Sequence, residues 1–248
     1  MTKQMLIYEN AEVITREAHG DVSVSAVSSL DFAADLNSMP LLAAEFERAG
    51  AQAPIVFAGE GESLTPVVLL GLAEAQNLFI DAGGKWTGRY VPAFLRRYPF
   101  IFTTTPGQPE RLSLCIDMAF KAVNREGRGE RLFDSEGNRT QFLENALAFT
   151  SEYQSQFQAT RSLTARLQEL DLLEPASITA TLPDGQKLVL GGFQRVQPER
   201  LLALPDGEVI ALHRSRLLEL IHLHLASMAQ MQGLMERLAE RNASARAA

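Results

Sequence analysis

The sequence has a single cysteine, fewer basic than acidic residues and no long apolar run. Cys115 is the only cysteine in 248 residues, so the chain cannot close an internal disulfide. There are 23 Lys and Arg residues against 30 Asp and Glu residues, for a formal net charge of -7. Broad nucleic-acid binding requires basic residues that neutralise phosphates, and this balance argues against it. No stretch approaches the roughly 18 consecutive apolar residues of a membrane-spanning helix, so we expect no membrane span.

The first nine residues also lack the apolar core and the small-residue cleavage site of a secretory signal. We therefore expect a cytoplasmic protein. The cysteine lies in an alternating run of apolar and polar residues from 111 to 117, which is typical of a strand. Because buried structural cysteines are usually inert, Cys115 is predicted to be a buried strand residue and not a nucleophile.

Catalytic, nucleotide-binding and metal-binding motifs are missing from the sequence. It has no Gly-x-Ser-x-Gly elbow, and its glycine pairs, Gly83-Gly84 and Gly191-Gly192, fit neither a P-loop nor a dinucleotide fingerprint. His222 and His224 are two residues apart, which places them about 200° apart around a helix and opposes a shared metal ion. We expect His224 to be a hydrogen-bonded core residue and His222 to be solvated. The sequence therefore predicts no metal and no cofactor.

The first half of the chain has mainly strand patterns. Apolar residues make up 46% of the sequence, which is enough to bury a substantial core. Pro66 lacks a backbone N–H, so we expect its strand at a sheet edge or at a bulge. Short apolar runs bounded by Gly and Pro predict a hairpin of residues 54–58 with 64–70 and a strand at 78–80. They also predict a hairpin of residues 100–103 with 112–116 across a Pro106-Gly107 turn.

The second half of the chain has mainly helical patterns. Apolar residues recur every three or four positions from 141 to 170, which predicts one long amphipathic helix. An Asp184-Gly185 turn then predicts a second hairpin, in which residues 178–182 pair with residues 187–190.

Two helices are predicted near the C-terminus. A short helix near 198–204 precedes a final helix, in which apolar residues recur at alternating four- and three-residue steps from Leu217 to Leu238. Such a narrow seam suits another helix. The long helix is the predicted partner, and a homodimer through the C-terminal helix is the competing one. We expect residues 243–248 to fray.

These patterns together predict an α+β fold. It comprises a mostly antiparallel β-sheet region followed by a long helix, a β-hairpin and a C-terminal helix. We expect one domain spanning residues 1–248. The alternative is an internal boundary within residues 124–138, which are polar and rich in glycine and arginine.

The most informative segment is residues 89–100, which sets three arginines, two tyrosines and two prolines among apolar residues. Pro92 can open a short helix and Pro99 must end it. Arg96 and Arg97 would then project from a short, stiff element. Two interpretations remain open: the arginines bind an anion, or they pair with carboxylates of the chain itself.

A ligand site is predicted where strand ends meet this segment. Asp81 and Asp117 end predicted strands, and Trp86, Arg89 and Tyr90 follow the first of them. Together with Arg96 and Arg97 they would line a concave site, in which aromatic faces hold a ligand and arginine binds its carboxylate. The competing interpretation is structural: the aspartates cap turns, the tryptophan covers the sheet and Arg89 closes a salt bridge.

The sequence also resembles a known family. The resemblance is carried by residues 89–100, Asn37-Ser38-Met39-Pro40-Leu41-Leu42 ahead of Glu45-Phe46, Pro54-Ile55-Val56-Phe57, Leu69-Leu70-Gly71-Leu72, Asn77-Leu78-Phe79-Ile80-Asp81, Leu114-Cys115-Ile116-Asp117 and Leu132-Phe133-Asp134. On these segments the chain is similar to the bacterial SapC family, named after surface-array genes, from about residue 8 to about residue 238. The resemblance implies a protein linked to surface-layer or outer-membrane systems.

The missing catalytic motifs and the resemblance together favour a non-catalytic role. We expect an accessory or binding protein that recognises a protein, a peptide or a small acidic ligand. The alternative is an enzyme, or an enzyme subunit, in a peptide or small-metabolite modification pathway. That alternative rests on the genes that can neighbour SapC-like genes, which encode halogenase-like, cupin-like and TonB-dependent receptor proteins.

Overall fold

The computed structural model describes residues 6–105, 108–181 and 187–247. The strands, in chain order, are β1 (Ala11–Val13), β2 (Ser23–Val24), β3 (Ser38–Pro40), β4 (Ile55–Ala58), β5 (Thr65–Leu69), β6 (Phe100–Thr105), β7 (Gln108–Asp117), β8 (Val123–Asn124), β9 (Glu130–Arg131), β10 (Leu173–Thr181) and β11 (Lys187–Val196). The α-helices are α1 (Arg16–His19), α2 (Phe46–Gly50), α3 (Ala93–Arg96), α4 (Gln141–Glu169), α5 (Pro198–Leu202), α6 (Asp206–Arg214), α7 (Leu217–Ser227) and α8 (Met231–Ala247).

The chain folds into two compact units, each built from two separate segments. The first unit comprises Met1–Leu30 and Ala93–Ser155, and the second comprises Asp31–Pro92 and Gln156–Ala248. Helix α4 contributes residues 141–155 to the first unit and 156–169 to the second. Among the described residues every strand pairing is antiparallel, and the sheets are combined with helices, so the predicted α+β class is confirmed.

The first unit holds two small sheets and an apolar core. One sheet has the order β1-β7-β6 and the other the order β8-β2-β9. The predicted pairing of residues 100–103 with 112–116 is confirmed, with Phe100 opposite Ile116 and Thr103 opposite Ser113. The turn predicted at Pro106-Gly107 lies outside the described residues. The core is a cluster of buried side chains: Val22, Val24, Phe100, Ile116, Leu132, Phe133 and Leu143.

The second unit is organised around a five-stranded sheet with the order β10-β11-β4-β5-β3. The hairpin of β4 with β5 and the hairpin of β10 with β11 confirm two predictions, although the predicted Asp184-Gly185 turn lies outside the described residues. The edge position predicted for the Pro66 strand is wrong, because β5 lies between β4 and β3. Proline is tolerated there because Pro66 lies one position beyond the ladder with β3. Its carbonyl still accepts the Leu41 N–H at 3.0 Å.

The strand predicted at residues 78–80 is also wrong. These residues are buried, but they form no ladder, and Ile80 makes one isolated bridge with Trp86. The short apolar run therefore predicted burial correctly but predicted a strand wrongly.

The helices of the C-terminal half largely follow the prediction. The predicted helix over 141–170 is confirmed as α4, and the short helix predicted near Pro198 is α5. The single helix predicted from Leu217 is wrong, because a 3-10 turn at Met228–Gln230 separates α7 from α8. Helix α8 continues to Ala247, and the predicted fraying of residues 243–248 stays a prediction.

Helix α7 packs mainly on its own unit. Its neighbours there are α2, α6, β4 and β11. The sequence predicted α4 as the partner of the C-terminal helix, but α4 is not the main packing partner of α7. Of the described residues, none belongs to a helix that is both long and apolar enough to cross a membrane.

Candidate binding site

The segment between Pro92 and Pro99 forms the short helix that the sequence predicted. Helix α3 begins directly after Pro92 and is followed by a cis peptide bond between Tyr98 and Pro99. The Arg97 N–H donates to the carbonyl of Ala93 at 3.0 Å, which closes the turn. The prolines thus bound one ordered turn that carries both arginines.

The two adjacent arginines have opposite environments. Arg96 is exposed, and its guanidinium carbon lies 5.2 Å from the centre of the Phe149 ring. Arg97 is only 3% exposed, and its guanidinium carbon lies 4.2 Å from the centre of the Tyr153 ring and 5.0 Å from that of Phe94. The Tyr8 ring lies 5.7 Å from the same carbon. Arg97 is therefore an interior cation stacked on aromatic faces.

Two tyrosines extend this buried group. The Tyr8 hydroxyl donates to the carbonyl of Phe100 at 2.8 Å, and the Tyr98 hydroxyl donates to Asp117 Oδ2 at 3.1 Å. Burial, followed by the charge of Asp117, raises the pKa of Tyr98 far above its usual range. Burial also raises the pKa of Tyr8, although the Arg97 guanidinium opposes this. Both hydroxyls therefore stay protonated at neutral pH.

Asp117 is fully buried and binds the N-terminal segment. Its carboxylate accepts the N–H groups of Glu9 and Asn10 at 2.9 Å each, and that of Ala119 at 3.1 Å. With the Tyr98 hydroxyl this makes four donors to one carboxylate. The contact with Ala119 matches the structural interpretation that Asp117 caps a turn, and the contacts with Glu9 and Asn10 are additional to it.

A cavity of about 520 Å³ lies within the first unit, beside these residues. Its walls are residues 24–27, 96–100 and 129–130 and one face of α4 from Phe142 to Thr150. Arg96 is the exposed cation among the residues that line it, and Glu130 is the anion. Cavities of this size suit small molecules or single side chains.

Four of the seven predicted site residues lie in the second unit. Asp81 Oδ1 accepts the N–H groups of Gly83 and Lys85 at 2.9 Å each, so Asp81 caps a turn. The Trp86 ring stacks on Phe79 with 5.2 Å between ring centres and 20° between planes. The Asp81 contacts match the structural interpretation of that residue as a turn cap, whereas Trp86 covers Phe79, which lies outside the strands given above, and not the sheet.

The backbone N–H groups of Arg89 and Tyr90 both donate to Gln52 Oε1. The Arg89 N–H donates to Gln52 Oε1 at 2.7 Å, while the Arg89 side chain is exposed. The Tyr90 hydroxyl donates to Glu45 Oε1 at 2.8 Å. The seven predicted residues therefore divide between the units, with Arg96, Arg97 and Asp117 in the first and Asp81, Trp86, Arg89 and Tyr90 in the second.

Sequence reasoning missed several residues around the cavity. No local sequence motif links Tyr8 or residues 24–27 to the arginines. Tyr8 reaches Arg97, and residues 24–27 line the same cavity as both arginines, only through tertiary folding. Phe142 and Phe149 were recognised as part of the apolar face of the long helix. The available signal was that Asn145 interrupts that face between the two phenylalanines, which indicates a polar contact within an apolar wall.

The histidines and the cysteine take the predicted structural positions. His224 is fully buried and bonded to backbone atoms, whereas His222 is exposed. Cys115 is buried in β7, and burial raises the pKa of its thiol. Among the described residues, no group of three His, Cys, Asp or Glu side chains could hold a metal ion.

Comparison with known proteins identifies the family. A model of the SapC family matches residues 14–234. No curated protein and no solved structure matches the chain. Because the family match covers most of the 248 residues, the resemblance predicted from the sequence is confirmed, and the chain belongs to the SapC family.

Proposed function

We propose that this SapC-family protein is a non-catalytic accessory or binding protein. It recognises a small acidic ligand, or an acidic group on a peptide or protein, at the cavity of the first unit. Association with a bacterial surface-layer or outer-membrane system, from the cytoplasmic side, is part of the same proposal. The observation that carries the proposal is the exposed guanidinium of Arg96 at the cavity, stacked on Phe149.

The chemistry of Arg96 supports an acidic ligand. A guanidinium is planar with its N–H donors in that plane, and this geometry matches the two oxygens of a carboxylate. Helix α3 is short and bounded by prolines, so the Arg96 backbone is fixed before a ligand arrives. Such preorganisation lowers the entropy that binding must overcome.

Arg97 and Asp117 take supporting positions in this proposal. The three aromatic rings around Arg97 and the four donors to Asp117 hold the end of α3 and the end of β7 in place. Neither side chain is exposed, so we assign the direct ligand contact to Arg96.

The predicted residues of the second unit form a separate proposed contact surface. Arg89 is an exposed cation there and directly precedes Tyr90 in the chain. A ligand that depends on Arg89 and not on Arg96 would assign recognition to that surface.

The test compares three glutamine variants, Arg96→Gln, Arg89→Gln and Arg139→Gln. Each protein is purified from native cells, denatured, and its retained small molecules and peptides are identified by mass spectrometry. We expect an acidic species that the wild type and Arg139→Gln retain and that Arg96→Gln loses. Arg139 is a suitable control because it is an exposed arginine of the first unit that does not line this cavity. Equal retention by all four proteins would contradict the proposal, and turnover of a retained species would favour the enzyme alternative.

A further inference from the structure

We propose that the ligand of the first-unit cavity is a single carboxylate carried on an apolar chain. This inference rests on the proposed function and names its ligand class. Two sources share this chemistry: a free aliphatic acid, and the C-terminal residue of a peptide that ends in an apolar side chain.

The walls of the cavity are mainly apolar. Strand β2 and the residues after it contribute Val24 and Val27, β6 contributes Phe100, and α4 contributes Phe142 and Phe149. Val27 is 45% exposed, although an isolated valine at a surface normally gains from burial. An apolar chain laid along these side chains would remove that surface from water.

The charges of the cavity fit one negative charge better than several. Arg96 offers one exposed guanidinium, and Glu130 lines the same cavity as a carboxylate. A phosphate with two charges would meet repulsion from Glu130 and would find no second exposed cation among the lining residues. A monocarboxylate needs only the one bidentate contact with Arg96.

Asn145 offers a further donor in the same wall. Its Oδ1 accepts the Gln141 side-chain amide at 2.9 Å, which orients the Asn145 side chain. With Oδ1 used in this way, the Asn145 NH₂ group is the part that can donate to a ligand oxygen. Thr150 differs, because its hydroxyl already donates to the carbonyl of Ala146 at 2.8 Å.

The volume indicates that the apolar chain should matter as much as the acid. A cavity of about 520 Å³ is far larger than a carboxylate alone requires. Each methylene group that enters an apolar site strengthens binding about fourfold. Affinity should therefore rise about fifteenfold for every two methylenes until the cavity is filled.

The experiment is calorimetric titration of the full chain with hexanoate, octanoate and decanoate. Orthophosphate, decyltrimethylammonium and a peptide ending in Val-Leu serve as comparison probes. We expect affinity to rise along the acid series, with no binding of orthophosphate or of the cation. Arg96→Gln should weaken every acid by about tenfold or more, because a charged hydrogen bond is lost. If the peptide binds more tightly than decanoate, the peptide terminus is the source; if less tightly, the free acid is.

Two valine variants test where the apolar chain of the ligand lies. Val27→Ser should reduce the gain in affinity per methylene group of the acid, whereas Val13→Ser should leave that gain unchanged. Val13 is equally exposed in the first unit but lies outside this cavity, so it is a matched control. Affinity that does not depend on chain length, tighter binding of orthophosphate than of decanoate, or equal losses in both valine variants would overturn the inference. If decanoate does not bind while an Arg96-dependent acid is retained from cells, only this inference fails and the proposed function stands.

Discussion

His224 supports a sharp prediction about stability and pH in the second unit. The side chain is fully buried in α7 and bridges two neighbouring strands. Its Nδ1 lies 2.8 Å from the carbonyl oxygen of Ile55 in β4, and its Nε2 lies 3.1 Å from the backbone nitrogen of Val196 in β11. Because the Val196 N–H is a donor, Nε2 must accept, and the proton must be on Nδ1. The folded protein therefore requires a neutral imidazole.

The pKa of His224 agrees with this requirement. The pKa falls from 6.5 to about 4, chiefly because of burial; the hydrogen bond to Ile55 opposes the shift, and the charge of Arg195 adds to it. The unfolded chain takes up a proton near pH 6.5, whereas the folded chain takes it up only near pH 4. The contribution of the neutral His224 to the unfolding free energy is therefore complete above pH 6.5, and it is lost as the pH falls from 6.5 towards 4. The difference between the two pKa values corresponds to about 3 kcal/mol.

The assay is urea unfolding of the wild type, His224→Phe and His222→Phe at pH 7.5 and pH 4.5. Between these pH values His224 should account for about 2.5 kcal/mol of the loss in unfolding free energy. His224→Phe should be less stable at pH 7.5, because it leaves the Ile55 carbonyl and the Val196 N–H without partners. It should also lose correspondingly less stability on acidification.

His222→Phe is the matched control, because His222 lies on the same helix but is exposed. It should keep the full pH dependence of the wild type. Nitrogen chemical shifts of the His224 ring give a direct check, and they should show the Nδ1–H form down to about pH 5. A His224→Phe protein with the pH dependence of the wild type, or a ring that titrates near 6.5, would refute the reasoning.

Two further predictions concern other parts of the chain. Asp117→Ala should lower the unfolding free energy by about 3 kcal/mol or more, because four donors lose their acceptor. Calorimetric melting should show a much smaller loss for Asp134→Ala, an exposed turn aspartate, and equal losses would contradict the assigned role of Asp117. A homodimer through the C-terminal helix remains a prediction. Light scattering should show that Met235→Glu halves the mass while Gln232→Glu does not, and a monomeric wild type would exclude the dimer.

Local sequence signals predicted much of this fold. Turn residues and periodicity predict the three hairpins and helix α4, because each depends on contacts between nearby residues. The sheet order was not predictable in the same way. Pro66 indicated an edge strand, but its missing N–H falls just beyond the end of β3, a position that only the tertiary register reveals.

The candidate site was predictable only in part, because the units are discontinuous in sequence. Residues 89–100 appeared to be one segment, yet Arg89 and Tyr90 belong to the second unit and Arg96 and Arg97 to the first. The first unit closes only when the N-terminal segment returns to β7, where Asp117 binds the N–H groups of Glu9 and Asn10. No local pattern reports a contact across more than a hundred residues.

The different environments of Arg96 and Arg97 follow from the geometry of one helical turn. Adjacent residues on a helix point about 100° apart, so two neighbouring arginines cannot share an environment when one face of the helix is buried. Phe94 is fully buried, and Arg97 closes the same interior with its guanidinium against three aromatic rings. The rings offset part of the desolvation cost of the buried cation and fix the end of α3. Arg96 is then held at the cavity by a backbone that its neighbour immobilises, and the proposed recognition of an acid depends on that fixed position.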